Sequence, residues 1–107
     1  MNPRMFLCGG LVADGIGTTV QRADVLIEGR AIAAVGNIEV SPGESAVIYL
    51  PPGTVVCPGF IDAHVHAEGQ LLADGRVAGA LAQGVTTLVW GRTGSRGSGL
   101  ARTRRGT

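Results

Sequence analysis

His64 and His66 are the residues whose type and spacing most directly suggest chemistry. On an extended strand, positions two apart face the same side, so both imidazoles would converge on one point. Imidazole suits borderline metals such as zinc, and two rings at this spacing can chelate a single ion. The pair alone also fits two exposed or hydrogen-bonded histidines. Catalytic zinc typically has three protein ligands, and nothing later in the chain supplies another histidine; no aspartate follows Asp74. Any zinc bound here is therefore expected to be weak and exchangeable. The acids nearby have plainer readings. Asp62 is expected to be a strand-end or structural group rather than a catalytic one, and Glu68 a solvated carboxylate or one near a helix N-terminus. Cys57 is expected to pack in the interior, and Cys8 and Cys57 to remain free thiols in a cytoplasmic protein. No residue is assigned as a catalytic or cofactor-binding group beyond the two metal-ligand candidates.

The elements that must position these histidines can be read from hydrophobic pattern. Pro58 to His66 is a strand with a nearly continuous apolar start, as expected for a buried parallel strand. Leu71, Leu72, Val77, Leu81 and Ala82 fall at helical spacing over 70–82, and Gly84 stands where a helix C-terminal glycine belongs. Val85 to Trp90 is a β-branched strand. Strand, helix and strand make one βαβ unit. Upstream, the Asp14-Gly15 turn closes an apolar run over 4–13, and Glu28-Gly29-Arg30 links strands 23–28 and 31–36 into a hairpin. Pro51-Pro52-Gly53 interrupts a further extended stretch between Ala46 and Cys57. The expected organisation is a β-lobe over 1–56, a βαβ unit over 57–90 and a disordered Arg/Gly-rich tail over 91–107.

Composition bounds the rest. At 107 residues, with 18 glycines and 45% hydrophobic residues, the chain is one small domain or a piece of a larger one. No apolar run approaches a membrane span, and the start is too short in apolar residues for a signal peptide. The net charge of +1 conceals an asymmetry. Four arginines stand against eight acids up to Trp90, and five arginines against none afterwards; lysine is absent throughout. The abrupt change suggests a shifted reading frame from about residue 92. A non-catalytic β-module with a basic tail that binds nucleic-acid phosphates is an alternative, but the tail has no aromatic residue on which bases could stack.

The run Pro58-Gly59-Phe60-Ile61-Asp62-Ala63-His64-Val65-His66 closely resembles the metal-binding signature of the amidohydrolase superfamily. Residues 23–29 and 32–36 resemble that superfamily's N-terminal β-lobe, and Gln83-Gly84-Val85-Thr86-Thr87 its second barrel strand. Glu68-Gly69-Gln70 and the 83–87 run look most like the N-acyl-D-amino-acid deacylases (D-aminoacylases); dihydroorotase- and hydantoinase-like cyclic amidohydrolases share the same opening. The resemblance implies an α/β fold in which an all-β lobe, the composite β-domain, leads into the first βαβ of an incomplete TIM (β/α)8 barrel. It implies a hydrolase of linear amides with a small-molecule N-acyl amino acid as substrate, zinc as cofactor, and His64 and His66 as ligands. A cysteine ligand of the deacylases would fall at about Thr93, and the carboxylated lysine of other relatives has no counterpart. The chain alone is therefore expected to be inactive and to risk self-association through exposed barrel edges.

Overall fold

The computed structural model describes residues 2–17, 19–44, 46–65, 77–90 and 99–102. The chain divides into two compact units, Met1–Pro58 and Gly59–Thr107.

The first unit is a five-stranded sheet built on β1 (Arg4–Val12). β2 (Gln21–Glu28) pairs antiparallel with β1, and β3 (Ala31–Gly36) pairs antiparallel with β2, closing the hairpin expected around Gly29. On the other side of β1 run β4 (Val47–Tyr49) and β5 (Val55–Val56), both parallel to it. They form one extended stretch broken by the Pro51-Pro52-Gly53 turn, where the Thr54 hydroxyl donates to the Pro51 carbonyl at 2.7 Å. The Leu50 and Leu11 amides, donating to Cys8 O and Thr54 O, carry the ladder past the break.

Register pairs share a face, so Phe6 stands beside Leu26 on one side, and Leu7 beside Val25 on the other. Phe6, Val25 and Leu26 are buried, which places the core of this unit where β1 crosses β2. Burial of each such side chain contributes about 1.5–3 kcal/mol. Arg4 fastens the margin: its guanidinium reaches Glu28 at 3.2 Å and Glu44 at 2.9 Å and lies 5.2 Å from the centre of the Phe6 ring. Asp24 does a comparable job inside the sheet. β1 is irregular between Leu7 and Gly10, and the Gly9 amide left over there donates to the Asp24 carboxylate at 2.9 Å. The second Asp24 oxygen accepts from the Ile38 amide at 3.2 Å, tying down the chain that leaves β3.

In the second unit, β6 (Phe60–Val65) and β7 (Val85–Trp90) are parallel, with the helix α1 (Ala78–Ala82) between them in sequence. The expected helix began at residue 70; positions 70–76 lie outside the described residues. Gly84, at φ +85°, ends α1 in the left-handed conformation a glycine tolerates, and its amide donates to Leu81 O. Leu88 on β7 is buried, with 2% of its surface exposed.

Two expectations are corrected here. β6 was expected to be buried, yet Phe60 and Ile61 are 56% and 66% exposed. A parallel strand is buried only when helices cover its faces, and α1, five residues long, has no buried side chain. Of the tail expected to be disordered, 91–98 and 103–107 lie outside the described residues, and Gly99–Arg102 form β8, antiparallel to β7 in the register Thr87 to Arg102. The free edge of β7 offers backbone donors and acceptors to any extended segment, whatever its side chains. Cys57 also departs from expectation. It is exposed rather than packed inside, because it follows β5 in the extended stretch just before the units divide.

Candidate metal centre

His64 lies on β6, one residue before its end, and is exposed. The pairing that holds it there is not uniform. Phe60 pairs with Val85 and Ile61 with Thr87, so Thr86 is an extra residue on β7. Asp62 pairs with Leu88 and Val65 with Trp90, so three steps on β6 match two on β7. The first irregularity brings Thr86 close to the start of β6. Gly59 allows it: a Cβ there would run into the Thr86 side chain, so only glycine permits the approach. The Phe60 amide then donates to Gly84 O at 2.9 Å, pinning the start of β6 to the residue that ends α1.

Asp62 lies within β6 rather than at its end. Its carboxylate accepts the backbone N–H of His64 at 3.2 Å, an Asx-turn two residues long. His66, Glu68, Gly69, Gln70 and Thr93 lie outside the described residues, so the structure places one member of the expected ligand pair. Among the described residues no group of three or more His, Cys, Asp or Glu could hold a metal ion. An exposed imidazole near the C-terminal end of a strand suits zinc chemically, but the described residues do not by themselves complete a site.

The β-lobe carries grooves of its own. One of about 430 Å³ is lined by Val12, Asp14, Ile16, Gln21 and Val35 among others, and Asp14 there accepts the Ile16 amide at 2.9 Å. Sequence reasoning did not mark this groove, and its lining is mainly apolar. Cys8 stands half-buried near Asp24; burial raises its thiol above the ordinary value, and the neighbouring carboxylate adds to the rise. Both cysteines are free.

With this geometry in hand, kinship is informative. No family model matches the chain. It is 39% identical over 90 residues to a D-aminoacylase, and 37% identical over 90 to an N-acyl-D-glutamate deacylase, both of Alcaligenes xylosoxydans xylosoxydans. In each case 84% of this chain and 18% of the relative are covered. Among solved structures, the N-acyl-D-glutamate deacylase of Bordetella bronchiseptica, complexed with zinc and a phosphonate inhibitor, superposes with a TM-score of 0.71 at 31% identity. That match covers 88% of this chain and 19% of the other. A D-aminoacylase described as having a binuclear metal centre superposes with a TM-score of 0.60 at 34% identity, covering 82% of this chain and 18% of the other.

Fold and sequence together make this an amidohydrolase chain. Within the amidohydrolases it is D-aminoacylase-like, and it spans less than a fifth of the length of the relatives it matches. Among the described residues no helix is long and apolar enough to cross a membrane.

Proposed function

We propose that this chain is the part of a metal-dependent deacylase of N-acyl-D-amino acids that supplies the first two metal ligands, His64 and His66. The observation that carries this reading is the similarity to three deacylases of D-amino-acid derivatives at 34–39% identity. It is joined by a structural neighbour at TM-score 0.71 that holds zinc and a mimic of a tetrahedral intermediate. The same similarity favours a linear amide as substrate over the cyclic amides of dihydroorotase- or hydantoinase-like enzymes. The units are read as the β-lobe over 1–56 and, in β6-α1-β7, the first βαβ of a TIM-type barrel. In such a barrel the C-terminal ends of the strands face the reaction, which is where His64 stands on β6.

When bound, the metal would polarise the acyl carbonyl and lower the pKa of water. This chain's own contribution is narrower. β6, anchored at its start by the Phe60–Gly84 hydrogen bond, carries His64 toward the strand end, and Asp62 fastens the His64 backbone. With a third protein ligand and a general base both missing from this reading, the 107-residue chain has no deacylase activity of its own.

The test is zinc binding followed by turnover. Isothermal titration of the chain with zinc should show weak, EDTA-reversible binding that disappears in His64→Ala. Incubation with an N-acetyl-D-amino acid should release no free amino acid. Tight binding that survives His64→Ala would refute the ligand assignment, and turnover abolished by His64→Ala would refute the inactivity.

A further inference from the structure

The irregularity in β6 falls at the position that bears the candidate ligand. Positions 88 and 90 of β7 share a face, so their partners Asp62 and Val65 share a face of β6 although they are three residues apart. One residue of the Ala63–His64 pair is therefore an insertion, and counting back from Val65 puts His64 on the face opposite to the one that counting forward from Asp62 would give it. A one-residue slip moves a side chain from one side of a sheet to the other, and bulges re-aim side chains in this way. Such an insertion takes a backbone group off the ladder. Here the His64 amide donates to the Asp62 carboxylate instead, at 3.2 Å. Asp62, Ala63 and His64 are all exposed, so packing does little to hold this conformation.

We propose that Asp62 is a positioning residue: its carboxylate clamps the insertion at Ala63–His64 and thereby sets the face on which the His64 imidazole is presented. The functional part of this inference rests on the reading of His64 as a metal ligand. Aspartate suits the task because its carboxylate sits one methylene from Cα, the reach an Asx-turn to the second amide along the chain requires. Asparagine keeps that acceptor and loses the charge; alanine loses both.

The experiment uses the 107-residue chain labelled with ¹⁵N, as wild type, Asp62→Asn and Asp62→Ala. Amide hydrogen exchange of His64 is compared with that of Leu88, and zinc is titrated while the His64 ring nitrogens are observed. The His64 amide should exchange about tenfold faster in Asp62→Ala and close to the wild-type rate in Asp62→Asn, with Leu88 unaltered. Zinc should bind the His64 ring about tenfold more weakly in Asp62→Ala and near normally in Asp62→Asn. An unaltered His64 amide in Asp62→Ala overturns the clamp. If Asp62→Ala loses Leu88 protection as well, Asp62→Asn decides: wild-type His64 exchange supports the proposal, and alanine-like exchange overturns it. A wild-type His64 ring that ignores zinc overturns the metal reading, while amide exchange still judges the clamp.

Discussion

Gly59→Ala is the substitution whose consequence follows most directly from the geometry. A Cβ built on Gly59 would stand 2.7 Å from the Thr86 Cβ and closer still to Oγ1 and Cγ2 of the same side chain. Rotation of χ1 can move Oγ1 and Cγ2 aside, but Thr86 Cβ is fixed to the backbone of β7, so relief requires the two strands to part. Overpacking of this kind costs about 1–3 kcal/mol, and the fixed Cβ argues for the upper end. A chain of this size has a total stability on the order of 5–15 kcal/mol, so the loss should be plain. Native-state hydrogen exchange is the assay, because it reads each unit separately. In Gly59→Ala the Leu88 amide should exchange about a hundredfold faster, an increment of about 3 kcal/mol. The Leu26 amide in the β-lobe serves as an internal reference and should not change. Adding Thr86→Ala removes two of the three close atoms and should restore part of the protection. Adding Thr86→Gly removes all three, at a cost of up to about 1 kcal/mol from the weaker strand residue. The reasoning fails if Gly59→Ala leaves Leu88 protection intact, or if neither Thr86 substitution recovers any of it.

Other expectations are simpler to check. Asp24→Ala leaves the Gly9 and Ile38 amides without their acceptor and should lower stability by about 1–3 kcal/mol in urea unfolding, with Asp24→Asn recovering a good part. At neutral pH, iodoacetamide followed by peptide mass analysis should find Cys57, which is exposed, alkylated before Cys8, which is half-buried with its thiol shifted upward. The same shift gives a pH dependence with a definite sign. The folded state holds the Cys8 proton more tightly than the unfolded chain does. Its contribution is therefore fully present below the unfolded thiol value and is lost as pH rises through the folded one. Urea midpoints should fall across that alkaline window in the wild type and fall less in Cys8→Ala.

The exposed apolar residues bear on how the chain behaves in solution. Ile32 and Val35 on β3, at 69% and 53% exposure, occupy an edge strand with no charged residue from Ala31 to Gly36. Phe60 and Ile61 add a second apolar surface in the other unit. Uncharged, exposed strand edges are the places where soluble proteins associate.

Local chemistry was enough to settle much of this from the sequence. The β2–β3 hairpin follows from the Glu28-Gly29-Arg30 turn between two apolar runs, and the strand break from prolines that cannot donate to a ladder. The helix end at Gly84 and the strand over Val85–Trp90 are likewise set by neighbouring residues. The motif around His64 was legible as well, because its residue types and spacing are contiguous. What pairs with what across the chain was not. That β4 and β5 run parallel to β1, that Asp24 reaches back to Gly9, and that Arg4 joins Glu28 to Glu44 all depend on segments distant in sequence meeting in space. The exposure of Phe60, Ile61 and Cys57 depends on what covers them, which no local pattern encodes. The face assigned to His64 belongs with these. Alternation along the strand is a property of sequence, but the extra residue opposite Leu88 and Trp90 exists only once β6 has paired with β7.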